Sequence, residues 1–219
     1  MGYGFSVIGG RTKNQDSFLV DSLKSLFAVA DGIGGGKEGE VASRMSVEGL
    51  QKHFRTPSDF PKVFELLQGE IYDYAIQHFG DALMGTTLTA AHIQGGLLSL
   101  CHTGDSRCYQ LAGSLLRQLT QDHEVYDEGH QGAVLASYLG IPRDIYPLTI
   151  QYETYPVRSG EKLLICSDGL YRQLEDSEIV AVLEENSSEP QHAVERLCQK
   201  AARDPQSDNV TVVLIELGD

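Results

Sequence analysis

An α+β fold, with two sheets packed face to face and helices outside them, is what the order of hydrophobic patterns in this 219-residue chain predicts. Short strand-like runs come first, then two helical patterns, a long series of β-rich runs, two more helical patterns and a closing strand. Turn-forming residues such as "QGG", "GDS" and "AGS" punctuate the β-rich series, as in an antiparallel meander. The helical patterns are amphipathic, so each needs a sheet to cover its apolar face.

Strands are expected at residues 2–8, 17–20 and 26–30, followed by helices over 38–54 and 60–79. In the second helix Val63, Leu66, Leu67, Ile71, Tyr74 and Ile76 to Phe79 recur at roughly helical spacing and should form its packed face. The runs "TTLTAAHI", "GLLSLCHT", "RCYQLAG" and "LLRQLT" read as the meander. A short helix near residues 133–138 precedes strands at 148–155 and 162–166. Helices over 176–185, with Asp176 or Ser177 as cap, and 191–203 are divided by "NSSEP", and "NVTVVLIEL" ends the chain as a buried strand. Without an internal repeat, linker or low-complexity tract, residues 1–219 read as a single domain.

Hydrophobic residues make up 41% and charged residues 22% of the chain, which is ordinary for a globular protein and excludes disordered and fibrous classes. A formal net charge of −14 disfavours nucleic acid and anionic membrane surfaces as partners. That acidity serves solubility, and part of it can be paired with divalent cations. The first residues lack a signal-peptide pattern and no apolar run reaches bilayer length, so a cytoplasmic location is expected. Cys101, Cys108, Cys166 and Cys198 sit in apolar patterns without CxxC spacing and read as reduced core thiols.

Four aspartates share one context, an apolar strand meeting a carboxylate beside glycine or another turn-former. They are Asp31 in "FAVADGIGG", Asp105 in "LCHTGDSR", Asp168 in "LLICSDGL" and Asp208 in "PQSDNVTVV". A turn explains any one of them. Four together would repel one another at low effective dielectric unless cations or protons intervened. Oxygen-only ligands suit hard ions, so Mg²⁺ or Mn²⁺ is expected and zinc is not. A side-chain-free turn after Asp31 would let the Gly32 carbonyl and waters approach such ions, which could activate a shared water for in-line attack.

The segments "RTKNQD" (11–16), "VADGIGG" (29–35), "GTTLTA" (85–90), "HTGDSRCY" (102–109), "LTQDH" (119–123), "CSDGL" (166–170) and "SDNVTVV" (207–213) occur in the order found in one family. The chain resembles the metal-dependent serine/threonine protein phosphatases of type 2C, the PPM family, in its bacterial form, over nearly its whole length. The resemblance implies a four-layer αββα sandwich with a metal centre in the cleft at one end of the two sheets. It implies that Asp31 bridges two ions, that the Gly32 carbonyl binds one, and that Asp168 and Asp208 hold the other. Asp105 would pair with Asp168 around a weaker third ion, Arg11 would bind the substrate phosphate, and Asp16 would orient a water from behind the metal ligands.

Where many eukaryotic members have glutamate this chain has Gln15, and where animal members have a proposed histidine acid it has Ile33. His123 is the tempting substitute, although a structural role suits it better, and the general acid stays unassigned. Residues 124–138 form a shorter flap than is usual in bacterial relatives, suggesting an open site; its acids Glu124, Asp127 and Glu128 read as a solvated face. The expected activity is hydrolysis of phosphoserine and phosphothreonine on proteins by a metal-activated water. A cognate kinase system would supply the phosphoproteins, and the enzyme would act as a monomer. Two other readings are a phosphatase-like scaffold or phosphoprotein sensor, and a stage II sporulation E-like phosphatase dedicated to one regulatory partner.

Overall fold

The computed structural model describes residues 1–33, 38–80, 84–127, 132–142 and 147–218. Gly34, Gly35 and Gly36 of the loop after Asp31, and Glu128 of the flap, lie outside them. The first half of the chain supplies β1 (Gly2–Val7), β2 (Asp16–Asp21), β3 (Leu26–Asp31), α1 (Gly39–His53), α2 (Phe60–Phe79), β4 (Leu88–Gln94) and β5 (Leu97–Thr103). The second half supplies β6 (Arg107–Ala112), β7 (Leu115–Gln118), β8 (Glu124–Asp127), β9 (Gly132–Leu135), β10 (Gln151–Pro156), β11 (Lys162–Cys166), α3 (Asp168–Tyr171), α4 (Asp176–Glu185), α5 (Pro190–Ala201) and β12 (Val210–Glu216).

Two antiparallel five-stranded sheets result, ordered β1-β12-β11-β6-β7 and β10-β5-β4-β3-β2, while β8 and β9 form a separate hairpin. Alternation along the central strands explains the layers, since successive side chains point to opposite faces. In β3, Leu26, Ala28 and Ala30 pack under α1 and α2, while Phe27 and Val29 face the other sheet. In β11, Leu164 and Cys166 pack against α4 and α5, while Leu163 and Ile165 point inward. Helix, sheet, sheet and helix therefore enclose three apolar layers, and strands buried on both faces read as continuous apolar runs.

Local chemistry sets the helix ends. Pro61 lies in the first turn of α2, where its missing N–H costs nothing, and Gly80 ends the helix with φ of 74°. The buried face of α2 holds Phe60, Val63, Phe64, Leu67, Ile71 and Ala75. Leu66 and Ile76, expected on that face, are instead 44% and 41% exposed, because the contact stripe is narrower than the hydrophobic content of the helix. The cap of α4 is Glu175 rather than Asp176 or Ser177, and its N–H donates to Glu178 Oε2 at 3.1 Å.

The helix expected near residues 133–138 is a correction. Residues Gly132–Leu135 form β9, with Val134 opposite Val125. A short apolar run has no period of its own, and a partner strand decides it. The strand expected from residue 148 starts at Gln151, where pairing with His102 begins.

All four cysteines are free and buried. Burial pushes the Cys108 thiol up to about 12 and raises the other three as well. No helix among the described residues is long and apolar enough to cross a membrane.

Leu67, fully buried where α2 packs on α1 at Gly49, contrasts with its exposed neighbour Leu66. Leu67→Ala is expected to lower unfolding free energy in urea by about 2–5 kcal/mol. Leu66→Ala should change it by less than about 0.5 kcal/mol.

Candidate metal centre

Strand pairing places the first two acids. Asp16 opens β2 directly opposite Asp31, the last residue of β3. Asp105 lies in the turn between β5 and β6, Asp168 begins α3 immediately after β11, and Asp208 precedes β12. Asp16, Asp168, Asp105 and Asp208 all lie close enough to act on Asp31, and burial first, then their charges, raise it well above the usual carboxylate range. The three aspartates expected to surround the ions, Asp31, Asp168 and Asp208, thus converge from distant parts of the chain.

Hydroxyl and amide side chains hold this arrangement. Thr87 Oγ1 accepts from the Asp31 N–H at 2.9 Å, and Thr86 Oγ1 donates to the Asp31 carbonyl at 2.9 Å. Ser106, beside Asp105, pairs its hydroxyl with that of Thr87 at 2.7 Å. Ser167 Oγ donates to Asp16 Oδ2 at 2.8 Å and accepts the Thr211 N–H at 3.0 Å. Asn209 accepts the Gln15 N–H at 2.8 Å and donates to the Ile8 and Lys13 carbonyls, tying the loop that carries Arg11 to the start of β12. These positioning residues lie inside the sequence motifs as polar interruptions of apolar runs, the signal by which they could have been singled out.

Gly32 shows why a side chain is absent after Asp31. Its N–H donates to the Gln15 carbonyl at 3.1 Å, and an added Cβ would strike the Gly39 and Gln15 carbonyl oxygens. The Gln15 side-chain amide donates to Glu40 Oε2 at 3.2 Å.

Electrostatics mark the centre as unsettled by its own atoms. Burial first, with the Asp168 charge adding and Arg172 opposing, pushes Asp105 up to about 7. Desolvation also raises Asp16 and Asp168, the latter against the pull of Arg172. Asp16 Oδ1 and Asp168 Oδ1 are buried without a hydrogen-bond partner. Among the described residues no three acidic, histidine or cysteine side chains already stand at metal-ligand spacing. Arg11 instead pairs with Asp208 at 2.6 Å, and Arg172 with Asp168 at 2.8 Å. Crowded all-oxygen donors with orphaned atoms nevertheless fit hard divalent ions.

Arg172, which the sequence reading missed, stands four residues after Asp168 on α3, a spacing that brings acid and base together. His123 accepts the Gly104 N–H on Nδ1 at 3.2 Å and its ring lies 4.9 Å from that of His102. Burial keeps His123 below the usual imidazole range.

Comparison with known proteins shows the family to which these residues belong. The Protein phosphatase 2C family model matches residues 3–203. The chain belongs to that family. The serine/threonine phosphatase stp of Listeria monocytogenes is 29% identical over 229 residues, covering 95% of this chain and 88% of its own. PppA, described as a key regulatory component of T6SS in Pseudomonas aeruginosa, has a similar structure with a TM-score of 0.88 and 27% identity, covering 99% of this chain and 96% of its own. The catalytic domain of the phosphatase PstP, in complex with two manganese ions, superposes with a TM-score of 0.83 and 29% identity, covering 100% of this chain and 98% of its own. For a protein phosphatase 2C member, the two packed sheets flanked by helices are the family's sandwich.

The raised carboxyl groups give a signed pH dependence. Between about pH 4 and 7 the folded chain keeps protons that the unfolded chain has released, so stability falls as pH rises through that window. Glu40, held down to about 2 chiefly by its hydrogen bond from Lys13, acts oppositely and loses its contribution as pH falls toward 2. In chelating buffer the Tm is expected to decline from pH 5 to pH 8, and Asp105→Asn should flatten that slope. Asp31→Asn should raise the Tm at pH 8 by roughly 2–6 °C through relief of repulsion, measured by scanning calorimetry.

Proposed function

We propose that this protein phosphatase 2C member hydrolyses phosphoserine and phosphothreonine on proteins, using two Mn²⁺ or Mg²⁺ ions. The observation that carries the reading is the convergence of Asp31, Asp168 and Asp208 beside the Gly32 backbone and an exposed arginine, Arg11. Asp31 would contact both ions, the Gly32 carbonyl one of them, and Asp168 and Asp208 the other. When bound, such ions supply a water acidic enough to attack phosphorus at neutral pH and offset charge on the phosphoryl oxygens.

The chain's own residues do the rest. Arg11 is 54% exposed in its pair with Asp208, and an exposed pair of this kind is worth only about 0–1 kcal/mol. Its guanidinium can therefore exchange Asp208 for two phosphate oxygens and hold the substrate in line. Asp16 keeps a buried Oδ1 without a hydrogen-bond partner while Ser167 fixes its other oxygen, which suits it to orient a water and hold its proton. Ile33 brings no proton donor to the leaving oxygen.

Phosphoproteins made by a serine/threonine kinase system are the substrate class this centre fits. Phosphothreonine peptide with Mn²⁺ should release phosphate, and chelator should abolish release. Asp31→Ala and Asp208→Ala should each lower kcat at least about 100-fold. Arg11→Ala should lower kcat/KM roughly 10–100-fold, mainly through KM, with Mn²⁺ binding by calorimetry unchanged. Folded protein that releases no phosphate at saturating Mn²⁺ would overturn the proposal.

A further inference from the structure

Arg172 reaches three acids from three different elements. Its Nε lies 2.8 Å from Asp168 Oδ2 on α3, and an outer guanidinium nitrogen lies 3.3 Å from Asp105 Oδ2 in the β5–β6 turn. The same nitrogen lies 2.9 Å from Glu124 Oε1 on β8. The surroundings anchor it as well. Arg172 lies over the Tyr171 ring at 5.9 Å, and the Tyr171 hydroxyl donates to the Asp105 carbonyl at 3.0 Å. The other cation on that ring, Arg107 at 3.6 Å, is itself held by both oxygens of Asp122.

We propose that the Arg172 guanidinium is a built-in cation that excludes any further divalent ion from the corner between Asp105, Asp168 and Glu124. The inference rests on the two-ion reading above and limits it: this chain takes two ions and no third. A divalent ion drawing on both Asp105 and Asp168 would have to share each carboxylate with a positive charge already within about 3 Å of it, and the two cations so placed would repel one another. Evicting the side chain would break its contacts to all three acids at once. Because Glu124 belongs to β8, the guanidinium also ties the β8–β9 hairpin to the centre, a role independent of metal concentration.

The test counts ions. Wild type, Arg172→Gln and Arg172→Lys are titrated with Mn²⁺ by isothermal calorimetry, with free Mn²⁺ followed by electron paramagnetic resonance and folding by circular dichroism. Wild type is expected to bind two ions per chain and Arg172→Gln one more, held less tightly. Arg172→Lys, which retains the charge, should keep the wild-type count. Three ions on the wild type overturn the proposal without recourse to any variant. An unchanged count in folded Arg172→Gln, or a third ion in Arg172→Lys, overturns it too and leaves the two-ion reading standing. No bound ion in the wild type refutes that reading and this one with it.

Discussion

Carboxylates that share a small volume at the ends of buried strands push one another apart, and the rest of the cleft is organised around keeping them there. Asp16 and Asp31 are locked opposite each other by the β2–β3 register, so neither can retreat without unpairing the strands. Thr86, Thr87, Ser106, Ser167 and Asn209 fix the backbone and hydroxyl positions around them. Three apolar layers supply the stability against which this local repulsion is set. Active-site strain of this kind is tolerable because it is confined to one end of the sheets.

The layered fold was legible because its main signals are long-range repeats in hydrophobicity. Strands such as β3, β11 and β12 are apolar almost without interruption, and α2 and α5 carry clear amphipathic stripes. The acids were legible for a different reason, since a carboxylate at the tip of such a strand conflicts with local burial and invites a chemical explanation. What stayed hidden was decided by partners distant in sequence. Val134 is in a strand because Val125 lies across from it, and Leu66 is exposed because α2 presents only a narrow stripe to the core. Arg172 was overlooked because nothing in "DGLYRQL" shows that Asp105 and Glu124 come to the same place.

The two arginines at the centre divide the work of balancing charge in a chain with a net charge of −14. Arg11 sits on a loop, more than half exposed, with Asp208 as its one acidic partner among the described residues. Arg172 caps the C-terminal end of α3, with three acidic partners and an aromatic ring beside it. The first is built to let go of its acid and the second to keep hold of its own. Sequence type alone does not separate such roles; the number of partners and the supporting element do.

The four cysteines deep in the sheets and in α5 are thiols in the strict sense, since burial keeps them protonated at any physiological pH. Neither the nucleophile nor any group at the centre contains sulfur. Peroxide, which silences phosphatases that rely on a reactive thiolate, finds no target of that kind here. Inactivation by oxidation of a catalytic thiolate is therefore not a route open to this centre.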